Sequence, residues 1–308
     1  MDLLRLLESI RFPALDAVMA AVTHLGSETA FMALALLMFW CIDKRRGYLV
    51  FLAGFFGTAL NQTLKLMFRI PRPWVMDPDF TIVEAARADA TGYSFPSGHT
   101  QNAVGTFGAI AVTSRRTWVR IVCAVLIVLI PFSRMYLGVH TPLDVAVAFA
   151  AAAVLVLALA PAFRTQRSMD KTMPWLLAAV AACTLGYLAY VLLWRFPADT
   201  DAENLAHGVK NAYTMAGCVL GLLLVYVPEK RYVRFETAAP LPGQILKLVL
   251  GLGLLIALKA GLKAPLNALM AGSPAANLVR YCVMVVFAVL IWPLTFPLFA
   301  RIGRKGRA

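Results

Sequence analysis

The chain has 308 residues, 60% of them hydrophobic and 15% charged, with a formal net charge of +13. So apolar a composition excludes an ordinary soluble domain. The basic residues form no stripe interleaved with exposed aromatics, so a nucleic-acid partner has little support.

In chain order, residues 1–12 set Leu3, Leu4, Leu7 and Ile10 against Asp2, Arg5, Glu8 and Arg11. That pattern predicts an amphipathic helix lying in the membrane interface rather than a cleavable signal peptide. Apolar runs then follow at 27–42, 47–68, 98–114, 117–136, 143–163, 174–194, 211–228, 245–262 and 281–300. Each approaches the length that crosses a bilayer as a helix. The expected fold is therefore all-α, a polytopic transmembrane helical bundle of about nine spans. In the span at 245–262, Lys247, Lys259 and Lys263 would have to snorkel outward. The five cysteines (41, 123, 183, 218 and 282) are scattered in or beside these runs. They read as small buried hydrophobes rather than disulfide or metal ligands.

The connection at 69–95 is long and broken by Pro71, Pro73, Pro78 and Gly92, with a short helical candidate at 81–88. A connection of this length in a compact bundle is usually a lid or binding loop. Its aromatics Trp74, Phe80, Tyr93 and Phe95 suggest an interfacial belt. Basic and polar residues at 164–174 mark a module boundary, giving 1–165 and 166–308 with four spans in the second part. No internal repeat is visible, and Gly217 with Gly221 forms one small-xxx-small pair suited to close helix packing.

Lys and Arg gather in alternate connections: Lys44 to Arg46; Arg115, Arg116 and Arg120; Arg164, Arg167 and Lys171; Lys230, Arg231 and Arg234; and the tail Arg301, Arg304, Lys305 and Arg307. Acids dominate the others. This positive-inside pattern places the C-terminus in the cytoplasm and three polar clusters on the extracytoplasmic face.

Those clusters end or begin apolar runs, where ionisable groups are functional candidates by default. The first holds Lys65 and Arg72, the arginine between two prolines that restrict its backbone. Guanidinium forks match phosphate oxygens, whereas lysine offers a point charge. The second is Pro96-Ser97-Gly98-His99 at a helix start, where unpaired N–H groups bind anions and Gly98 permits close approach. The third is Ser133-Arg134 with His140 and Asp144. Thr141-Pro142 reads as N-cap and first helical position, so Asp144 is either a first-turn capping residue or the partner that sets the tautomer of His140. Taken singly, each cluster is a weak signal: a snorkelling lysine, a Ser-Gly turn, a capped helix.

Together, Lys-x6-Arg-Pro, Pro-Ser-Gly-His and Ser-Arg-x5-His-x3-Asp resemble the signature of the type 2 phosphatidic acid phosphatase (PAP2) superfamily, which includes membrane lipid phosphatases and soluble vanadium haloperoxidases. Every fixed motif position is present, within roughly residues 1–165; no resemblance is seen for 166–308. The resemblance implies a PAP2/haloperoxidase-like core plus about four extra C-terminal spans. It implies His140 as nucleophile forming a phosphohistidine, Asp144 orienting it, and His99 protonating the leaving oxygen. Lys65, Arg72, Ser97, Gly98 and Arg134 would bind the phosphoryl oxygens. The expected substrate is a membrane lipid phosphate or diphosphate, in the bilayer of a bacterial inner membrane. No cofactor is expected, and no metal, because no carboxylate cluster has ligand spacing. A phosphotransferase passing the group to another lipid would use the same residues, and a non-catalytic scaffold or transporter is the remaining alternative. His24 and His207 have no clustered partners in the sequence and read as structural or solvated.

Overall fold

A computed structural model describes residues 1–302, and the basic tail positions Arg304, Lys305 and Arg307 lie outside it. The described chain is all-helical. An N-terminal pair, α1 (Asp2–Ser9) and α2 (Pro13–His24), precedes α3 (Glu28–Leu37), which a π-helical turn at Met38–Ile42 extends. Then come α4 (Lys44–Phe68), the short α5 (Pro73–Met76), α6 (Gly98–Thr113), α7 (Thr117–Tyr136) and α8 (Pro142–Leu159). The C-terminal part is built from α9 (Gln166–Leu193), α10 (Ala202–Pro228), α11 (Leu241–Gly261), α12 (Lys263–Leu269), α13 (Ala275–Val286) and α14 (Phe296–Phe299).

Seven helical segments are long and apolar enough to cross a membrane individually, four of them after residue 165; the α2–α3 pair, bent by 51°, makes an eighth if taken as one span. The expected span at 98–114 is the sixteen-residue α6, which packs between α4, α7 and α8. It buries Thr100, Gln101, Asn102 and Thr106. At sixteen residues it is too short to count as a span by itself, and a helix enclosed by its neighbours does not need an apolar lipid-facing surface. Lys247 also departs from expectation. It is buried, donates to the Thr237 carbonyl at 3.0 Å and lies 4.6 Å from the Phe296 ring centre, while Lys259 and Lys263 are exposed. Its position one turn into α11 puts a loop carbonyl and an aromatic face within reach, which solvate the ammonium without snorkelling.

Contacts sort the connections into two ends. At one, Arg45 donates to the Arg164 carbonyl (3.1 Å), Lys44 pairs with Glu229 (2.6 Å) and Lys230 with Asp170 (2.8 Å). At the other, the 69–95 connection folds against the 137–141 turn, the start of α10 and α1. The basic loops thus share the end away from the motif residues. Residues 81–88 form only a 3₁₀ turn, Glu84–Ala86, because the Val83 N–H is bonded to the Leu137 carbonyl and the chain there is extended. Phe80, Tyr93 and Phe95 are buried within the protein rather than forming a belt. Phe80 sits between the guanidinium groups of Arg5 and Arg11, 5.5 and 5.3 Å from its ring centre. The polar face of α1 grips this connection through Arg5–Asp77 (2.6 Å) and Glu8–Thr81 (backbone N, 2.8 Å), leaving Leu3 and Leu6 exposed.

One apolar cluster runs from Phe31 through Leu52, Leu177 and Val219 to Phe299, so both parts of the chain share a core. At the α10–α13 contact a Cβ on Gly217 would collide with the Leu278 carbonyl, and one on Gly221 would lie 2.8 Å from Val285 Cβ. The Gly217→Leu protein is therefore expected to lose about 2 kcal/mol from overpacking, read as a lowered thermal midpoint in detergent. Gly186→Ala, with open space around the added methyl, should hold or raise the midpoint.

Candidate active site

The three clusters converge at one end of the bundle, around a cavity of about 290 Å³. Lys65, Arg72, Gly98, His99 and His140 line it. Ser97, Arg134 and Asp144 are fully buried and are not among its lining residues. Five of the eight residues expected from the sequence thus line one cavity, and the other three are buried outside its lining.

Arg72 is the N-cap of α5, its backbone extended between Pro71 and Pro73. Its guanidinium donates to the carbonyls of Thr91 (2.7 Å), Gly92 (3.1 Å) and Val139 (2.9 Å), and to His140 Nε2 at 3.0 Å. Arginine has no acceptor, so this contact assigns the ring proton to Nδ1, and the Nε2 lone pair accepts from the Arg72 guanidinium at the cavity wall. Lys65, in the last turn of α4, donates to the carbonyls of Tyr93 and Ser94. It does not snorkel; the loop has folded over it.

Asp144 resolves the two readings of its position by combining them. Thr141 and Asp144 form a capping box at the start of α8, with Thr141 N–H donating to Asp144 Oδ2 at 2.7 Å. The same oxygen accepts from Ser94 Oγ at 2.6 Å and faces His140 Nδ1 at 3.5 Å. Ser94 Oγ is itself 3.5 Å from Nδ1. Ser94 went unnoticed in the sequence because a serine near a Pro-Ser-Gly turn carries no distinguishing pattern.

Ser97 caps α6: its hydroxyl oxygen accepts from Thr100 N (3.4 Å) and Thr100 Oγ1 (3.0 Å). Its own proton remains available to donate. Gly98 opens the helix at the cavity wall, where an added Cβ would meet nothing closer than Asn61 Oδ1 at 4.0 Å. Arg134 donates from one terminal nitrogen to Thr23 Oγ1 at 2.9 Å, while its Nε and other terminal nitrogen have no protein partner, nor has His99 Nε2. A buried donor left unpaired costs about 1–3 kcal/mol. A cluster of them beside two lysine and arginine cations fits an anionic ligand.

Of the two residues read as structural or solvated, His207 lines the cavity and His24 does not. His24 pairs with Asp89 at 3.3 Å, and Asp89 lines the cavity mouth. His207, from α10, lines the cavity itself. Chain folding alone brings them here, and no local spacing signals it. A larger crevice of about 570 Å³ opens at the opposite end, but Lys44, Arg45 and Lys230 there are paired with acids and no imidazole lines it. Among the described residues, no group of three His, Cys, Asp or Glu side chains is placed to hold a metal ion.

A model of the PAP2 superfamily matches residues 46–168, which contain all three motifs. Phosphatidylglycerophosphatase B of Bacillus subtilis is 32% identical over 151 residues, covering 44% of this chain and 69% of the relative. The chain belongs to the PAP2 superfamily. A second model, described as the transmembrane extension of PAP2 superfamily phosphatases, matches residues 213–304, a stretch with no resemblance legible in its motifs. Undecaprenyl-diphosphatase BcrC of Bacillus subtilis is 31% identical over 134 residues (42% of this chain, 66% of the relative). An undecaprenyl-diphosphatase of Sulfolobus acidocaldarius is 26% identical over 146 residues (47% and 68%). No solved structure matches significantly. As a PAP2 phosphatase, the chain is a hydrolase of an integral-membrane type.

Burial, followed by the nearby charges of Arg72, Arg134 and Lys65, holds the His140 imidazole well below the ordinary histidine range. The neutral ring is favoured in the fold, so this group's contribution to stability is full above about pH 6.5 and erodes as pH falls towards the folded-state value. The acidic limb of the kcat/KM profile assigned to His140 is expected to lie below pH 6.5, read by phosphate release between pH 4 and 9.

Proposed function

We propose that this PAP2 phosphatase removes the terminal phosphate of a membrane lipid phosphate or diphosphate through a phosphohistidine on His140, without a metal ion. The observation that carries the reading is a neutral, buried His140 at the cavity wall beside Lys65, its Nε2 held by the Arg72 guanidinium and the partnerless donors of Arg134 buried nearby. A phosphoryl oxygen that takes over the Arg72 N–H would free that lone pair for attack.

In the first step His140 Nε2 attacks phosphorus, an N–P bond forms, and the bond from phosphorus to the leaving oxygen breaks. His99 gives that oxygen its proton. The imidazole becomes cationic as it is phosphorylated, and Asp144, facing the Nδ1 proton, offsets that charge. Water then attacks phosphorus, His99 takes a proton from it, and the N–P bond breaks to restore neutral His140. Arg72, Lys65, Arg134, Ser97 and the Gly98 N–H neutralise the equatorial oxygens, and positioning plus charge stabilisation supplies most of the acceleration in phosphoryl transfer. Three fixed cations fill the place of a metal.

Polyprenyl diphosphate, phosphatidylglycerol phosphate and phosphatidate are the candidate substrates. The first two classes agree with the names of the relatives, the B. subtilis phosphatidylglycerophosphatase and the two undecaprenyl-diphosphatases. The basic loops at the far end belong in the cytoplasm by the positive-inside rule, which puts the cavity on the extracytoplasmic side of the plasma membrane.

Purified protein should release phosphate from these lipids at an undiminished rate in excess EDTA; a strict requirement for added divalent metal refutes the metal-free step. His140→Ala should abolish turnover. His99→Gln should lower kcat on the order of 10²–10⁴-fold, the usual range for a lost general acid. Acid-labile, alkali-stable label on the wild type after a quench with labelled substrate, absent from His140→Ala, checks the intermediate.

A further inference from the structure

Among the described residues after 165, the one that lines the cavity is His207. It belongs to α10, outside the segment that carries the motifs. Three contacts pin its turn of helix against the site. The N–H of Asp201 donates to Tyr93 Oη at 3.1 Å, anchoring the start of α10 to the loop whose carbonyls hold Lys65. Tyr187 Oη donates to the Gly208 carbonyl at 2.8 Å, fixing α10 to α9. Gly208 itself abuts Leu66: a Cβ there would lie 2.7 Å from Leu66 Cδ1, so a larger residue would require the leucine side chain to shift.

The next residue back, His207, is consequently held over the Lys65 side of the cavity. A Cβ built on Gly92 would sit 3.7 Å from His207 Nδ1 and 3.9 Å from Lys65 Cδ. Gly92 adopts a left-handed φ of +70° that favours glycine, and both side chains border the space left by its missing Cβ. Unlike His24, which is paired with Asp89, His207 makes no hydrogen bond or ion pair with the protein among the described residues.

Around it, the cavity above the phosphoryl cradle is lined by Gln62, Asn102, Ser27 and Thr29 rather than by hydrocarbon. Its two carboxylates, Glu28 and Asp89, are exposed at the mouth. A lipid whose hydrocarbon began at the leaving oxygen would set methylenes among these polar groups, leaving them unpaired. A leaving group with a second phosphate would instead find hydrogen-bond donors there.

Resting on the phosphatase reading above, we infer that His207 of α10 is a specificity-determining residue, which contacts a second phosphate in the leaving group and so selects two-phosphate lipids over single-phosphate ones. Two sources share that chemistry: a polyprenyl diphosphate, with the phosphates adjacent, and a phosphatidylglycerol phosphate, with a glycerol between them.

The test measures kcat and KM for wild type, His207→Ala and His207→Asn on two matched pairs, farnesyl diphosphate against farnesyl phosphate and phosphatidylglycerol phosphate against phosphatidate. For at least one pair the wild type should favour the two-phosphate lipid, and His207→Ala should reduce that preference in kcat/KM about tenfold, chiefly through KM. The pair that responds identifies the source. His207→Asn, which keeps a polar group, should fall between. An active wild type whose preference survives both substitutions, or variants that lose activity equally on all four lipids, overturns the inference while leaving the phosphatase reading intact. A wild type that releases phosphate from none of the four refutes that reading and this inference with it.

Discussion

The guanidinium of Arg72 is the interaction on which the site depends. It is buried in an apolar bundle, where a charge without compensating dipoles is very costly. It meets that demand with the carbonyls of Thr91, Gly92 and Val139 and the ring of His140. Those acceptors come from two connections far apart in sequence. Solvating one cation therefore folds the 69–95 loop against the 137–141 turn, and it does so around His140. Lys65 acts in the same way on the carbonyls of Tyr93 and Ser94.

Electrostatics and architecture are consequently hard to separate here. The groups suited to hold phosphoryl oxygens are the ones that organise the loops carrying the histidines. Burial, with their combined charge, keeps the His140 ring neutral. On the other side of the ring Asp144 Oδ2 collects Thr141 N–H and Ser94 O–H while facing Nδ1, so a helix cap also orients the imidazole. Such preorganisation suits a reaction in which positioning matters more than covalent chemistry.

The extension is joined to this core by more than a shared membrane. Phe31, Leu52, Leu177, Val219 and Phe299 belong to one apolar cluster. Close approach of α10 to α13 at Gly217 and Gly221, and of α10 to α4 at Gly208, brings a histidine from outside the motif segment to the cavity wall. The cost of this intimacy is low tolerance at those glycines, where backbone or branched side chains already fill the space of a methyl.

Hydropathy periodicity and the alternation of basic loops by themselves determined the all-α membrane fold and the four C-terminal spans, and three motifs of fixed spacing named eight residues, five of which line one cavity. Each rests on local chemistry that a linear string preserves: chain length against bilayer thickness, and residue type against helix termini. Tertiary structure alone decided that α6 is an enclosed sixteen-residue helix, that Lys247 turns inward, and that Phe80, Tyr93 and Phe95 are core rather than belt. It alone brought Ser94 onto Asp144, Asp89 onto His24 and His207 beside Lys65. Those outcomes depend on which carbonyl, ring or glycine from a distant segment arrives within a few ångströms, and contacts made across space leave no period or spacing in the sequence to read.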